Sequence, residues 1–174
     1  MSRRVAALLF VAAIALLALG SDVATGHGGG GTDKGHHSDG RAKCLALFAD
    51  LNGRNELDAT TLKRGAGDPD GFGSASFTIN GTSLCFGMTV GNLDSPVMAH
   101  IHKGRKTENG PVVVPLTQPS TGNPGASSGC VTVDAGLAAD ILAHPKAYYA
   151  NVHTGAFPAG AVRGQLKRLH GHHH

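Results

Sequence analysis

Beyond residue 43, apolar and polar positions alternate along most of the chain, a two-residue period that puts successive side chains on opposite faces of a β-strand. Ala75, Phe77 and Ile79 alternate with Ser76, Thr78 and Asn80, and Leu84, Phe86, Met88 and Val90 form the apolar face of a returning run that Cys85 and Thr89 oppose. Asn80-Gly81 between the two runs is a hairpin turn signal. Further strands are predicted at 44–51, 97–102, 112–116, 130–133, 147–153 and 161–168, about eight in all. One helix is convincing: Asp134 can cap it, Leu137, Ile141 and Leu142 give it a buried stripe, and His144-Pro145 ends it. Many short strands with glycine and proline turns point to one all-β domain, an antiparallel β-sandwich or barrel with a single short helix.

Two of these strands carry candidate chemistry. In Ala99-His100-Ile101-His102 the two histidines share one face, while Val97, Ala99 and Ile101 take the other. In the run at 147–153, Tyr148 and Val152 fall on the apolar side, and Tyr149, Asn151 and His153 on the opposite side. If the two strands are neighbours, three imidazoles converge. Such a set with an open position suits copper or zinc. The alternative is a solvated sheet face that happens to carry three histidines. Lys103 and Arg105 beside this face would repel a cation and welcome an anion.

The ends set the expected compartment. Arg3 and Arg4 precede an unbroken apolar run over 5–19, and Ala18-Leu19-Gly20 offers the small residues that signal peptidase reads, so residues 1–20 are expected to be a cleaved secretory signal. No second run of that kind follows, so no membrane span is expected in the mature chain, and the protein is read as secreted or periplasmic. Residues 21–42 are rich in glycine and histidine with little apolar surface, and are expected to be disordered. The domain occupies 43–168, and 169–174 form a histidine-rich tail. The net charge of +3 includes Arg3 and Arg4, so the mature chain is near neutral and no basic stripe argues for nucleic acid. Of three cysteines, Cys85 and Cys130 lie in strand-like runs and are expected to pair. Cys44 is left as a free thiol, an intermolecular crosslink or a competing partner.

The chain resembles the CHRD family, the domain of chordin and of many secreted microbial proteins. The matching stretches are Asn55-Glu56, Ala99-His100-Ile101-His102-Lys103-Gly104, Gly110-Pro111-Val112-Val113-Val114-Pro115-Leu116, and Tyr149-Ala150-Asn151-Val152-His153-Thr154 continuing to Phe157-Pro158-Ala159-Gly160-Ala161-Val162-Arg163-Gly164-Gln165-Leu166. It departs from the family's pattern at Leu57-Asp58, where valine and prolines are common, so the course of that loop is not carried over. The resemblance implies an extracellular all-β module and says little about activity. The His-x-His strand with a third histidine on another also looks like the copper limb of Cu,Zn superoxide dismutases, and Gly160-Ala161-Val162-Arg163-Gly164 is loosely similar to their arginine-bearing segment. No histidine-rich zinc loop follows His102, and His144 is read as a helix end rather than a bridging ligand. The fold is accordingly expected to be immunoglobulin-like or superoxide dismutase-like.

Three classes of function follow. The favoured one is a non-catalytic binding module for an extracellular protein or a metal ion. In it His100, His102 and His153 are ligands, and Asn55, Glu56, Asn151, Arg163 and Gln165 orient them or contact a partner. For Arg163 and Gln165 the structural alternative is bonding to loop carbonyls, and for Asn55 and Glu56 it is fixing a turn. The second class is a copper-dependent redox enzyme, and the third a structural envelope or matrix module. Hydrolase chemistry is disfavoured because Ser127 and Ser128 fall in a glycine-rich stretch, read as a loop, without a nucleophile elbow. No phosphate-binding glycine motif is present in the sequence.

Overall fold

The alternating runs become one antiparallel sheet of nine strands, rolled into a nearly closed barrel, in the computed structural model, which describes residues 46–169. The expected signal at 1–20, the segment 21–42, Cys44 and the histidines from His170 onward lie outside the described residues. The strands are β1 (Ala46–Asn52), β2 (Phe72–Asn80), β3 (Ser83–Gly91), β4 (Pro96–Lys103), β5 (Val112–Leu116), β6 (Gly125–Thr132), β7 (Tyr148–Thr154), β8 (Val162–Gln165) and β9 (Lys167–Arg168). Their order is β5-β4-β7-β8-β1-β2-β3-β6, with β9 also paired to β1. Continuous pairing through all of them decides for a barrel over two separate packed sheets. The helix α1 (Ala135–Ala143) begins as expected, with the Asp134 carboxylate accepting from the N–H groups of Gly136 and Leu137 at 2.8 and 3.2 Å.

Inward positions form one apolar core. Phe77 opposes Phe86, Ala75 opposes Met88 and Ile79 opposes Leu84 across the β2–β3 hairpin, whose turn uses Gly81 at a positive φ of 59°. Leu47, Leu51, Ala99, Ile101, Tyr148, Val152, Ile141 and Leu166 complete the cluster. Each fully buried large side chain contributes about 1.5–3 kcal/mol by area removed from water. On the outer face of β3–β6, Cys85 stands directly opposite Cys130, and the expected disulfide joins them.

Four local expectations change. Strand β6 starts at Gly125, because Gly-Ala-Ser-Ser-Gly is held by its ladder to β3 and not by any apolar alternation; Ser127 and Ser128 are therefore strand residues, not loop residues. Val97 is exposed, because a register shift between Pro96 and Met98 lifts it off the core face that Ala99 and Ile101 keep. The single strand expected at 161–168 breaks at Leu166, whose N–H donates to the Tyr148 carbonyl at 2.9 Å. In the divergent loop, Leu57 is buried and bridges Arg64, while the Asp58 carboxylate accepts from the N–H groups of Thr60 and Thr61.

Candidate metal centre

Strands β4 and β7 are neighbours, and their registers bring His100, His102 and His153 together on the side of the sheet away from the core. One ring nitrogen from each lies within 4.8 Å of the other two, and His100 Nδ1 is 3.2 Å from His153 Nε2. Two nitrogens bound to one tetrahedral zinc at about 2.05 Å stand about 3.3 Å apart, so that pair already has ligand spacing and only a small closure is left for the third.

The face is not solvated. His102 and His153 are buried and His100 is half-buried, because two loops fold over them. The first runs from Lys103 to Pro111, and the Gly110 carbonyl accepts from His102 Nδ1 at 2.9 Å. The second carries Pro158, whose carbonyl accepts from His153 Nδ1 at 3.0 Å. A carbonyl can only accept, so both Nδ1 atoms carry the proton, and the neutral His102 ring leaves its lone pair on Nε2. Burial lowers the pKa of all three histidines, with the mutual repulsion of the rings adding to it at His100 and His102. Neutral rings with fixed tautomers are what a metal ion requires. His102 Nε2 is buried and has no hydrogen-bond partner. Among the described residues only Glu56 Oε2 and Ser127 Oγ share that condition.

The supporting residues divide cleanly. Asn151 is buried between the two histidine-bearing strands, with its side-chain Oδ1 3.1 Å from His153 Nε2. Arg163, opposite Asn151 on β8, is almost wholly buried and holds the first loop: Nη2 donates to the carbonyls of Arg105 and Glu108 at 2.9 and 2.7 Å, and Nη1 donates to the Asn109 side chain at 3.0 Å. Its guanidinium lies 3.4 Å from the centre of the Tyr149 ring, whose other face stacks on His102 at 4.8 Å and 9°. Arg163, Tyr149 and His102 therefore form a three-layer stack that fixes the ligand ring.

Gln165 lies outside this stack. Its amide donates to the carbonyls of Gly104, Lys146 and Tyr148 at 2.7–2.9 Å. Asn55 donates to the Arg163 carbonyl at 3.1 Å and accepts from Arg64. Glu56 is buried 3.9 Å from Arg163, and burial nevertheless raises its pKa to about 7. Gly160, at a positive φ of 147°, lets the second loop pass the Glu56 carboxylate, with which any Cβ would collide. None of Gln165, Asn55 and Glu56 bonds a histidine; Gln165 holds the start of the first loop, and Asn55 and Glu56 bear on Arg163.

Lys103 does not sit beside the histidines. It points across the strand to Asp140, at 2.9 Å, and to the Tyr148 ring. Arg105 reaches the site only through its backbone carbonyl. Positive charge gathers elsewhere, in an open cleft of about 650 Å³ lined by Arg105, His144, Lys146, Lys167 and Arg168. The cation that bears on the ligands is Arg163. Three participants, Tyr149 and the carbonyls of Gly110 and Pro158, were not singled out from sequence. Tyr149 shares the face of Asn151 and His153 by simple alternation, which was the available signal, whereas the carbonyls of Gly110 and Pro158 leave none.

The family model of the CHRD domain matches residues 47–166. No curated protein matches the chain. The match covers most of the sequence, and the chain belongs to the CHRD-domain family.

Proposed function

We propose that this member of the CHRD-domain family is an exported, non-catalytic binding module whose His100, His102 and His153 hold a copper or zinc ion. The observation that carries the reading is the buried, partnerless Nε2 of His102, in a ring pinned by the Gly110 carbonyl and the Tyr149 stack. Leaving a buried acceptor unsatisfied costs about 1–3 kcal/mol, and an ion shared with the two neighbouring imidazoles would relieve it. Asn151, Arg163 and Gln165 would act as orienting residues, through the bonds described above. Export is supported by the apolar run over 5–19 and by the Cys85–Cys130 disulfide, which suits an oxidising compartment. Among the described residues no helix is long and apolar enough to cross a membrane.

The test is metal content of the mature chain by mass spectrometry after challenge with each ion, compared with a His100→Ala, His102→Ala, His153→Ala variant. The histidine-rich ends are identical in both proteins, so the difference reads the core. About one more copper or zinc per chain in the parent is expected. Equal content, in a variant whose thermal unfolding shows it is folded, would overturn the reading in favour of a structural module. Superoxide turnover by the copper-loaded parent, lost in His102→Ala, would move the protein to the redox class.

A further inference from the structure

We infer that Met98 supplies a thioether to the three-histidine site and that copper(I) is the ion this site selects. The inference rests on the metal-binding reading above and adds to it a fourth ligand and an oxidation state.

The backbone carries the argument. Met98 is the direct cross-strand partner of His153, and the following pairs set Ala99 opposite Val152 and His100 opposite Asn151. Ala99 and Ile101 are buried in the core, so Met98, His100 and His102 alternate onto the other face. The bulge at Val97 places Met98, not Val97, across from His153. Directly opposed residues have Cβ atoms about 4.5–5.5 Å apart, and a methionine side chain with three rotatable bonds spans that gap. Packing does not account for Met98: it is 44 % exposed and absent from the core cluster that takes in Ala99 and Ile101.

The chemistry then discriminates among ions. A thioether is a soft, neutral donor that suits copper(I), while zinc prefers imidazole, thiolate and carboxylate. The ligand set of three neutral imidazoles and one thioether supplies no negative charge. Arg163 adds a positive charge one aromatic ring away from His102. Because the cost of burying charge rises with its magnitude, this surrounding penalises a divalent ion more than a monovalent one.

The experiment measures copper(I) affinity anaerobically, by competition with a chromophoric copper(I) chelator. Zinc affinity is measured in parallel with a zinc dye, on the mature full chain, Met98→Leu and the triple histidine variant. Met98→Leu keeps volume and apolarity at an exposed position, so its thermal unfolding should match the parent. It is expected to weaken copper(I) binding about tenfold or more, to leave zinc binding unchanged, and to remove a sulfur scatterer from the copper X-ray absorption spectrum. If the triple variant loses metal while Met98→Leu binds copper(I) as the parent does, the thioether assignment falls and the histidine site stands. If the triple variant binds both ions as well as the parent, both readings fall.

Discussion

Strands β2, β3 and β6 on one side of the barrel and β4, β7 and β8 on the other use the same antiparallel pairing, yet their outward faces are treated in opposite ways. On β2–β3–β6 most outward residues are small and polar: Ser74 bonds Thr89 at 3.1 Å, Ser76 is exposed, and the Cys85–Cys130 disulfide lies among them, with the exposed Phe72 at the start of β2 as the exception. On β7 all seven residues are buried, and the face away from the core carries Tyr149, Asn151 and His153 beneath two loops. Covering polar and charged groups costs free energy unless each finds a partner. Most do: Arg163 alone makes three hydrogen bonds to one loop. Among the described residues three buried side-chain atoms find no partner: His102 Nε2 and Glu56 Oε2 on the covered side, and Ser127 Oγ on β6. One side of the barrel is built by ordinary alternation; the other buries a histidine cluster beneath two loops.

The largest effect that would break this comparison is at Arg163. Arg163→Ala removes the loop anchor and leaves the part-buried carbonyls of Arg105 and Glu108 and the Asn109 side chain without their donor, so denaturant unfolding should show a loss of about 3–5 kcal/mol together with weaker metal binding. A loss within about 0.5 kcal/mol, the range of an ordinary surface substitution, would mean that the covered side is not held from within.

Removing the disulfide sharpens the contrast from the other side. Cys85→Ala with Cys130→Ala opens a loop closed over a sequence separation of 45 residues, and should cost about 2–4 kcal/mol while leaving metal affinity as it is. A parallel drop in metal affinity would show that the two sides are energetically one.

The smallest effect is a pH dependence confined to the covered side. Glu56 holds its proton up to about pH 7 in the fold against 4.5 ordinarily, so its stabilising contribution is complete below pH 4.5 and is lost as pH rises through 7. The three histidines have depressed values and act with the opposite sign: their contribution is present above 6.5 and is lost as pH falls through their folded values. Glu56→Gln should therefore remove a decline of up to about 3 kcal/mol between pH 5 and 8 and expose the histidine trend alone, measured by chemical denaturation across that range. An unchanged profile would show that the Glu56 carboxyl is solvated.

Legibility in the sequence follows the same division. β2 and β3 could be read directly, because alternation with one wet face leaves a two-residue signature. β6 could be read only at its end, since residues 125–129 bring Ala126 as their one apolar side chain and become a strand through pairing with β3. The candidate ligands were visible as His-x-His and a third strand histidine, because metal-ligand residues are few in kind. Their cover was not. Arg163 meets the carbonyls of Arg105 and Glu108 across more than fifty residues, and nothing in residue type marks which backbone oxygens a buried guanidinium will find. Lys103 shows the converse, since nearness in sequence to His102 suggested nearness in space, whereas adjacent strand residues point to opposite faces.

The linear pattern by itself determined the all-β class, the capped helix, the core faces of the central strands and the identity of the imidazoles, because period and residue type are local properties that need no partner. Tertiary structure alone decided that β4 lies beside β7, that Met98 stands across from His153, and that the histidine face is roofed rather than wet. Those outcomes depend on register and loop closure, which are set by the summed packing and hydrogen bonding of segments far apart in the chain.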